Sequence, residues 1–221
     1  TKQMGGSFED NLALIESGFQ RGANINGDFL HQLQEYPAFI KQLGIDQSQG
    51  IALIAKANKM GIYDDKAVDS LKEATLSLKE MGKAQVDALA GIGIKPEDLV
   101  GKTPFEAVQL ISKQMKGAST QARQLILADI FKGAGEDAGI QFVEGLGTMD
   151  LDLTKLPAVE ESATGLKSFF SEIKNWAADS FGNIGSYAQT LAPMVMTVSG
   201  MIPIMQMLSN STKIQTAAQW L

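Results

Sequence analysis

The chain has 221 residues, of which 44% are hydrophobic and 20% are charged, so it is long and apolar enough for one or two folded domains. It contains no cysteine and a single histidine, His31. These counts exclude disulfide frameworks, thiolate metal sites, thiol catalysis and histidine triads. We therefore expect a protein that is not an enzyme and that holds no metal or cofactor.

The net charge of −6 is concentrated in one segment of the chain. Residues 133–161 contain seven acids and one base, which gives −6, whereas the remainder has 18 acids and 18 bases. Only two of the bases are arginines, Arg21 and Arg123. Nucleic-acid binding usually needs a basic, arginine-rich face, so the charge does not support contact with DNA.

The first part of the chain has the apolar spacing of short helices. One helical face is predicted by residues three and four apart, namely Phe8, Leu12, Ile15 and Phe19. Asp28 is a candidate N-cap for a second helix, which Pro37 should kink or split. Asp46 begins a third helix, and Gly61 ends it as a C′ glycine.

The middle of the chain carries the strongest local signals for helix starts. Asp64 or Asp65 caps a fourth helix, and a short helix follows Gly82. Pro96 opens a further helical turn, where proline at the first position is favourable. The run Thr103–Glu106 has Thr at the N-cap, Pro next and Glu three residues on, which predicts a capping box.

The next elements are also predicted to be helical. Gly117 ends the helix that Thr103 caps, and Ser119 caps the following one. The glycines of residues 131–135 end that helix, and residues 136–145 form one more short helix. Gly44-Ile45-Asp46 and Gly93-Ile94-Lys95-Pro96 each introduce a helical pair, but the match beyond those positions is too poor to define a repeat.

No run of alternating residues suggests a sheet, so the predicted class is all-α: a multi-helix bundle of short to medium antiparallel helices followed by an apolar helical tail. We predict a helical domain at 1–147, an acidic linker at 148–157, and a longer helix plus an uncharged Met-rich helical segment at 158–221.

The uncharged segment is the most informative feature of the sequence. No charged residue occurs from Ser180 to Thr212, and its most apolar part, 191–208, is about 18 residues long, the lower limit for crossing a bilayer. Two prolines and a glycine interrupt it. A buried helical core or an oligomer interface is the simpler explanation, and a segment that enters a membrane on some trigger is the main alternative. The candidate membrane or partner contacts are Leu191, Met194, Val195, Met196, Val198, Met201, Ile202, Ile204, Met205 and Leu208.

Three patterns that superficially suggest chemistry have simpler explanations. Residues 133–139 resemble a dinucleotide fingerprint, but the third glycine is one position late and a helix precedes it, which favours a helix-ending turn. Residues 150–161 resemble a calcium loop, but Lys155 stands where the loop needs glycine. His31 and Glu35 are one helical turn apart, which predicts a local ion pair or hydrogen bond.

Ahead of one predicted helix the chain has the Gly-Ile pair at 93–94, the acidic turn Glu97-Asp98 and the run Thr103-Pro104-Phe105-Glu106-Ala107. In this pattern and in several other segments, the sequence resembles phage tail tape measure proteins. That family repeatedly uses Gly-Ile, a short acidic turn and then Thr/Ser-Pro-x-Glu-Ala before a helix, and it often ends a nearby helix on Ile-Phe-Gly. Here Lys132 stands between Phe131 and Gly133, so this last motif departs from the family pattern. The matching segments are Gly61–Glu73, Ala90–Gly101, Lys102–Val108 and Ile126–Phe131.

The resemblance implies a structural role for a fragment of a longer chain. Tape measure proteins are long and helical, and their length sets the length of the tail tube. They lie in its lumen in several copies, which implies a homo-oligomer, and they contact tail tube and baseplate or tip proteins. Their apolar segments are associated with passage through the host membrane during genome ejection, and 191–208 is a candidate for one. The location implied is the virion tail, and the host cytoplasm during assembly.

The resemblance carries over no catalytic residue. The main alternative from another class is a membrane-active effector, such as a pore-forming toxin, in which a soluble helical bundle shields an insertable Met-rich hairpin. An enzyme remains a third hypothesis without a sequence motif to support it.

Overall fold

The computed structural model describes residues 8–159, which all lie in the first of two compact units, Thr1–Gly165. These residues contain α-helices and short helical turns but no β-strand, which confirms the all-α class for this part. The predicted apolar helical tail lies outside the described residues. The helices are α1 Phe8–Gln20, α2 Phe29–Glu35, α3 Pro37–Gln42, α4 Gln47–Lys59, α5 Lys66–Glu80, α6 Lys83–Gly91, α7 Pro104–Met115, α8 Thr120–Ile126, α9 Lys132–Ala138 and α10 Ile140–Leu146.

The predicted break at Pro37 is confirmed. Pro37 is the first residue of α3, where its missing N–H needs no partner, and α2 ends two residues earlier at Glu35. Asp28 occupies the predicted N-cap of α2, but its carboxylate accepts a hydrogen bond from Gln32 Nε2 at 2.7 Å and none from the helix backbone. The same Nε2 donates to the carbonyl of Asp64 at 2.7 Å, which ties α2 to the loop before α5.

Helix α4 is the most deeply buried of the described helices. Asp46 caps it as predicted: the Gln49 N–H donates to Asp46 Oδ1 and the Asp46 N–H donates to Gln49 Oε1, both at 2.8 Å. Inside the helix, Asn58 Nδ2 donates to the Ala23 carbonyl at 2.7 Å, so this buried amide has a partner. The buried positions of α4 run along most of its surface: Gly50, Ile51, Ala52, Leu53, Ile54, Ala55, Ala57 and Asn58.

The Gly-Ile pairs noted in the sequence share a local geometry. Gly44 and Gly93 both have φ +77°, a left-handed conformation that suits glycine. The residue after each, Ile45 or Ile94, is buried. A helix end followed by a buried isoleucine therefore explains the likeness, without any wider repeat.

The prediction for residues 131–145 is confirmed in one place and wrong in another: the helical run that Ser119 caps does end within residues 131–135, but residues 136–145 are not one helix. After α8 the chain continues through a π-helical turn, Leu127–Phe131, and the break comes at Lys132, with φ +55° and ψ −154°, rather than at the glycines at 133 and 135. The predicted single helix over 136–145 is two pieces, because Gly139 at φ +84° separates α9 from α10. Each break occurs at one residue with a positive φ, Lys132 or Gly139, which the spacing of apolar residues does not predict.

The acidic segment predicted as a linker packs against the helices in its described part. Met149, Leu151 and Leu153 are buried. Gln109 Nε2 of α7 donates to the Met149 carbonyl at 3.1 Å, and Lys59 Nζ of α4 donates to the carbonyl of Pro157 at 3.3 Å. The segment thus extends the core of the helical domain, while the predicted boundaries at 1–147 and 158–221 stay predictions.

Candidate interaction surface

An apolar pocket of about 160 Å³ lies between the C-terminal end of α5 and the N-terminal end of α7. The loop that joins residues 99 and 102 forms its third wall. Its lining is mainly apolar, with two lysines: Thr75, Leu78, Lys79, Met81, Leu99, Lys102, Pro104 and Ala107.

Local backbone geometry places these walls. Met81 follows α5 in a left-handed conformation, φ +43° and ψ +47°, and so turns the chain sharply at the pocket. Gly101, at φ +79°, turns the chain within the loop that forms another wall. The predicted capping box of α7 is confirmed, because the Glu106 N–H donates to Thr103 Oγ1 at 3.2 Å and the Thr103 N–H donates to Glu106 Oε2 at 2.8 Å. It fixes Pro104 as the first residue of the helix.

The same hydrogen bonds lower the pKa of Glu106, the acid at this end of α7. The Thr103 backbone N–H, followed by its hydroxyl, holds the pKa of the Glu106 carboxyl below its usual value of 4.5, and Lys102 adds a smaller effect. Glu106 therefore carries its charge in the capping box, where a negative group suits the positive end of the helix.

The two lysines of the pocket form no close ion pair in the part of the chain that the structure describes. No carboxylate lies within 4.0 Å of Lys79 Nζ or Lys102 Nζ there. Lys132, by contrast, lies 3.6 Å from Glu73 and 3.8 Å from Glu80. The pocket thus combines apolar walls with two positive charges, of which Lys102 also interacts at longer range with Glu106.

The opposite end of α5 is acidic and exposes an aromatic ring. Tyr63 is 41% exposed, and the adjacent Asp64 and Asp65 are also exposed. Asp64 Oδ1 accepts a hydrogen bond from Asn26 Nδ2 at 3.4 Å, and Asp65 Oδ2 accepts one from the Tyr36 hydroxyl at 3.4 Å.

The pKa shifts of neighbouring groups report the negative potential at this end. Burial raises the pKa of the Tyr36 hydroxyl, and Asp69 and Asp65 raise it further. Burial also raises the pKa of Asp69, and Asp65 adds to it, while Lys72 opposes the shift. Helix α5 therefore joins an acidic end to a basic pocket.

The contact residues predicted between Leu191 and Leu208 lie outside the described residues and stay predictions. The pocket was not identified from the sequence, because Lys79 and Lys102 belong to different elements. Its only sequence signal is the capping box, which places Pro104. None of the helices between residues 8 and 159 has the length and apolar character to cross a membrane.

The other sequence patterns have clear structural outcomes. His31 Nδ1 lies 3.6 Å from Glu35 Oε2 on an exposed helix surface, which confirms the predicted local pair. Residues 133–139 fall almost entirely within α9, so their interpretation as a helix-ending turn is wrong.

In the described part of the calcium-like segment, one lysine lies close to two aspartates. Lys155 Nζ lies 2.8 Å from Asp150 Oδ2 and 3.4 Å from Asp152 Oδ2. Lys155, followed by the Asp152 backbone N–H, holds the pKa of the Asp150 carboxyl below its usual value. The Thr154 hydroxyl and backbone N–H, followed by Lys155, do the same for the pKa of Asp152. Across residues 8–159 there is no group of three or more acidic or histidine side chains arranged to hold a metal ion.

Comparison with known proteins identifies the family. The family described as phage-related minor tail protein matches residues 2–132, which is more than half of the chain. Neither a curated protein nor a solved structure matches the chain significantly. The matched range contains the capping box, both ends of α5 and the pocket between α5 and α7. The chain therefore belongs to the phage-related minor tail protein family, as a structural component of the phage tail.

Proposed function

We propose that this chain is part of a tape measure protein that lies inside the tail tube, sets tail length during assembly in the host cytoplasm, and assists genome delivery through the host envelope. The observation that carries the proposal is the family match over residues 2–132, which includes most of the tape measure-like motifs of the sequence. The role is mechanical and needs no catalytic group. Its partners are other copies of the chain, tail tube proteins and baseplate or tip proteins.

The described helices suit a length-setting role in one respect. Most are joined by turns of only a few residues, so the chain can be drawn out into a nearly continuous helical path without breaking secondary structure. The segment from Asp64 to Gly145 has 82 residues. As continuous helix at 1.5 Å per residue it would span roughly 120 Å.

An in-frame deletion of residues 64–145 in the phage tests this role. We expect tails shorter by up to roughly 120 Å, since each residue of extended helix contributes about 1.5 Å. An in-frame duplication of the same segment should lengthen tails by a similar amount. Tail length is measured by electron microscopy of intact particles.

The matched control is the double variant Lys113→Glu/Lys116→Glu, which alters two exposed residues and leaves chain length unchanged. Its tails should have wild-type length. Wild-type tail length in both the deletion and the duplication would refute the length-setting role of this segment.

A membrane-active effector is the second candidate, favoured by the absence of charge from Ser180 to Thr212. Dye leakage from phospholipid vesicles separates the two. An effector should permeabilise vesicles on its own, and Met196→Asp/Ile204→Asp should abolish leakage, because buried charge in a bilayer is costly. A tape measure segment should leave vesicles intact outside a particle.

A further inference from the structure

We propose that the pocket between α5 and α7 binds Tyr63, Asp64 and Asp65 of a second copy of this chain, so that copies associate head to tail along α5. Two surfaces of the described structure lie at opposite ends of α5. One is an apolar pocket with two lysines, and the other presents an aromatic ring and two carboxylates.

The pocket has the composition of a site for one large side chain flanked by carboxylates. Its volume of about 160 Å³ is far above the roughly 10–15 Å³ that one water molecule needs, so the pocket has room for a side chain. Leu78, Leu99 and Pro104 supply apolar walls. Lys79 and Lys102 supply two ammonium groups with no described carboxylate within 4.0 Å, and Glu106 is the acid that interacts with Lys102 at longer range.

The acidic end of α5 offers the matching group. Tyr63 is 41% exposed and so is available to a partner. Protein interfaces favour tyrosine because its ring buries a large apolar area and its hydroxyl tolerates water. Asp64 and Asp65 follow it directly, so one short segment presents an aromatic ring and two carboxylates.

This segment is held in a fixed conformation. Asp64 has φ +57°, a left-handed conformation that is uncommon for aspartate. Gln32 Nε2 donates to the Asp64 carbonyl at 2.7 Å, and Asn26 Nδ2 donates to its carboxylate at 3.4 Å. The binding segment is thus ordered before association, which lowers the entropic cost of the contact.

Charge complementarity argues for a second copy as the occupant, because exposed Asp64 and Asp65 match the lysines of the pocket and the two surfaces cannot meet within one chain. They lie at the two ends of α5, whose 15 residues span roughly 22 Å at 1.5 Å per residue. A contact between different patches on two identical chains is heterologous, and it propagates into a row of copies unless the rotation closes a ring. The proposal does not depend on the tape measure role, since self-association of the purified chain and tail length in particles are separate measurements.

Sedimentation velocity of the full 221-residue chain tests the contact. We expect the wild-type chain to associate with rising concentration and to dissociate as salt is added, because exposed charge pairs are screened. Lys79→Glu/Lys102→Glu alone should weaken association at least about tenfold, and so should Asp64→Lys/Asp65→Lys alone, since each places like charges at the contact.

Mixing the two charge variants gives the decisive result. The variant with a glutamate-lined pocket should bind the variant with lysines beside Tyr63, so the mixture should associate although neither component does. This restoration also shows that both variants are folded. The matched control Lys113→Glu/Lys116→Glu makes the same charge change on exposed residues outside the pocket and should associate like wild type.

Because the chain has no cysteine, a cross-link gives a second readout. A Lys66→Cys chain and a Val100→Cys chain, both altered at exposed positions beside the two surfaces, should form a mixed disulfide dimer in preference to either homodimer. A monomeric wild-type chain, association that both charge variants retain, or a mixture that stays monomeric would each overturn the proposal.

Discussion

Gly44 lies directly against Thr103, and this contact joins the end of α3 to the start of α7. A Cβ atom at position 44 would stand 2.6 Å from the Thr103 Cβ, closer than real side chains approach. One residue earlier, the Leu43 carbonyl accepts a hydrogen bond from the Phe105 N–H at 3.0 Å. The turn after α3 therefore fixes the capping box that forms one wall of the pocket.

Gly44→Ala should destabilise the protein by about 2–4 kcal/mol, because a left-handed backbone strained by a side chain costs about 1 kcal/mol and overpacking typically adds 1–3 kcal/mol. Gly61→Ala is the matched control, since Gly61 has the same φ of +77° but open space around it. It should cost only about 1 kcal/mol. Urea unfolding of both variants measures the difference, and equal losses would show that the Thr103 contact is unimportant.

Lys132→Gly should stabilise the protein by about 1 kcal/mol, because it relieves backbone strain. Lys132 has φ +55° and ψ −154°, a region that is essentially restricted to glycine. The substitution loses contacts of Lys132 with Glu73 and Glu80 at 3.6 and 3.8 Å, but such partly exposed pairs contribute little.

Lys132→Ala separates the two effects, since it removes the ion pairs and keeps the strain. It should be no more stable than wild type in thermal unfolding. The strain argument fails if the alanine variant gains as much stability as the glycine variant. The tape measure-like pattern Ile-Phe-Gly places glycine at this position, where the observed torsions would favour it.

Leu153→Ala should destabilise the domain by about 2–3 kcal/mol, because it leaves a cavity at a residue that is only 2% exposed. Leu153 lies in the acidic segment that packs beside α4. Leu156→Ala is a matched change at a half-buried leucine three residues on and should cost less than half as much. Chemical denaturation checks both. A negligible loss from Leu153→Ala would mean that this segment is an exposed linker in solution.

Asp69→Asn should make the protein more stable at neutral pH. Burial and then Asp65 raise the pKa of Asp69 above its usual value of 3.8, so the folded chain binds this proton more tightly than the unfolded chain does. Ionised Asp69 therefore opposes folding at pH values above the folded pKa, and the penalty disappears as the pH falls to 3.8 and below.

The difference in unfolding free energy between Asp69→Asn and wild type should thus be largest near neutral pH and shrink on acidification. Asp87→Asn is the control, because it breaks the exposed pair with Lys83 and relieves no buried charge. It should not stabilise the protein. A neutral-pH loss of stability in Asp69→Asn would show that the Lys72 contact at 3.9 Å outweighs desolvation.

Local rules predicted most helix starts correctly. Thr103, Asp46 and Ser119 cap their helices through the side-chain bonds that their spacing indicates, because a cap depends on residues only three or four apart. The break at Pro37 follows from a missing N–H in the same local way. The prediction of one helix over residues 136–145 failed because Gly139, at φ +84°, divides it, and no local rule predicted the π-helical turn Leu127–Phe131.

The sequence by itself determined the all-α class, the caps, the lack of cysteine and histidine chemistry, and the resemblance that the family match over residues 2–132 bears out at the level of a phage minor tail protein. These properties reside in composition and in neighbouring residues. Only the tertiary structure decided that 148–157 packs on the helices, that Gly44 contacts Thr103, and that Lys79 and Lys102 share one apolar pocket. The physical reason is that each of these depends on the packing of helices distant in sequence, which no local periodicity encodes.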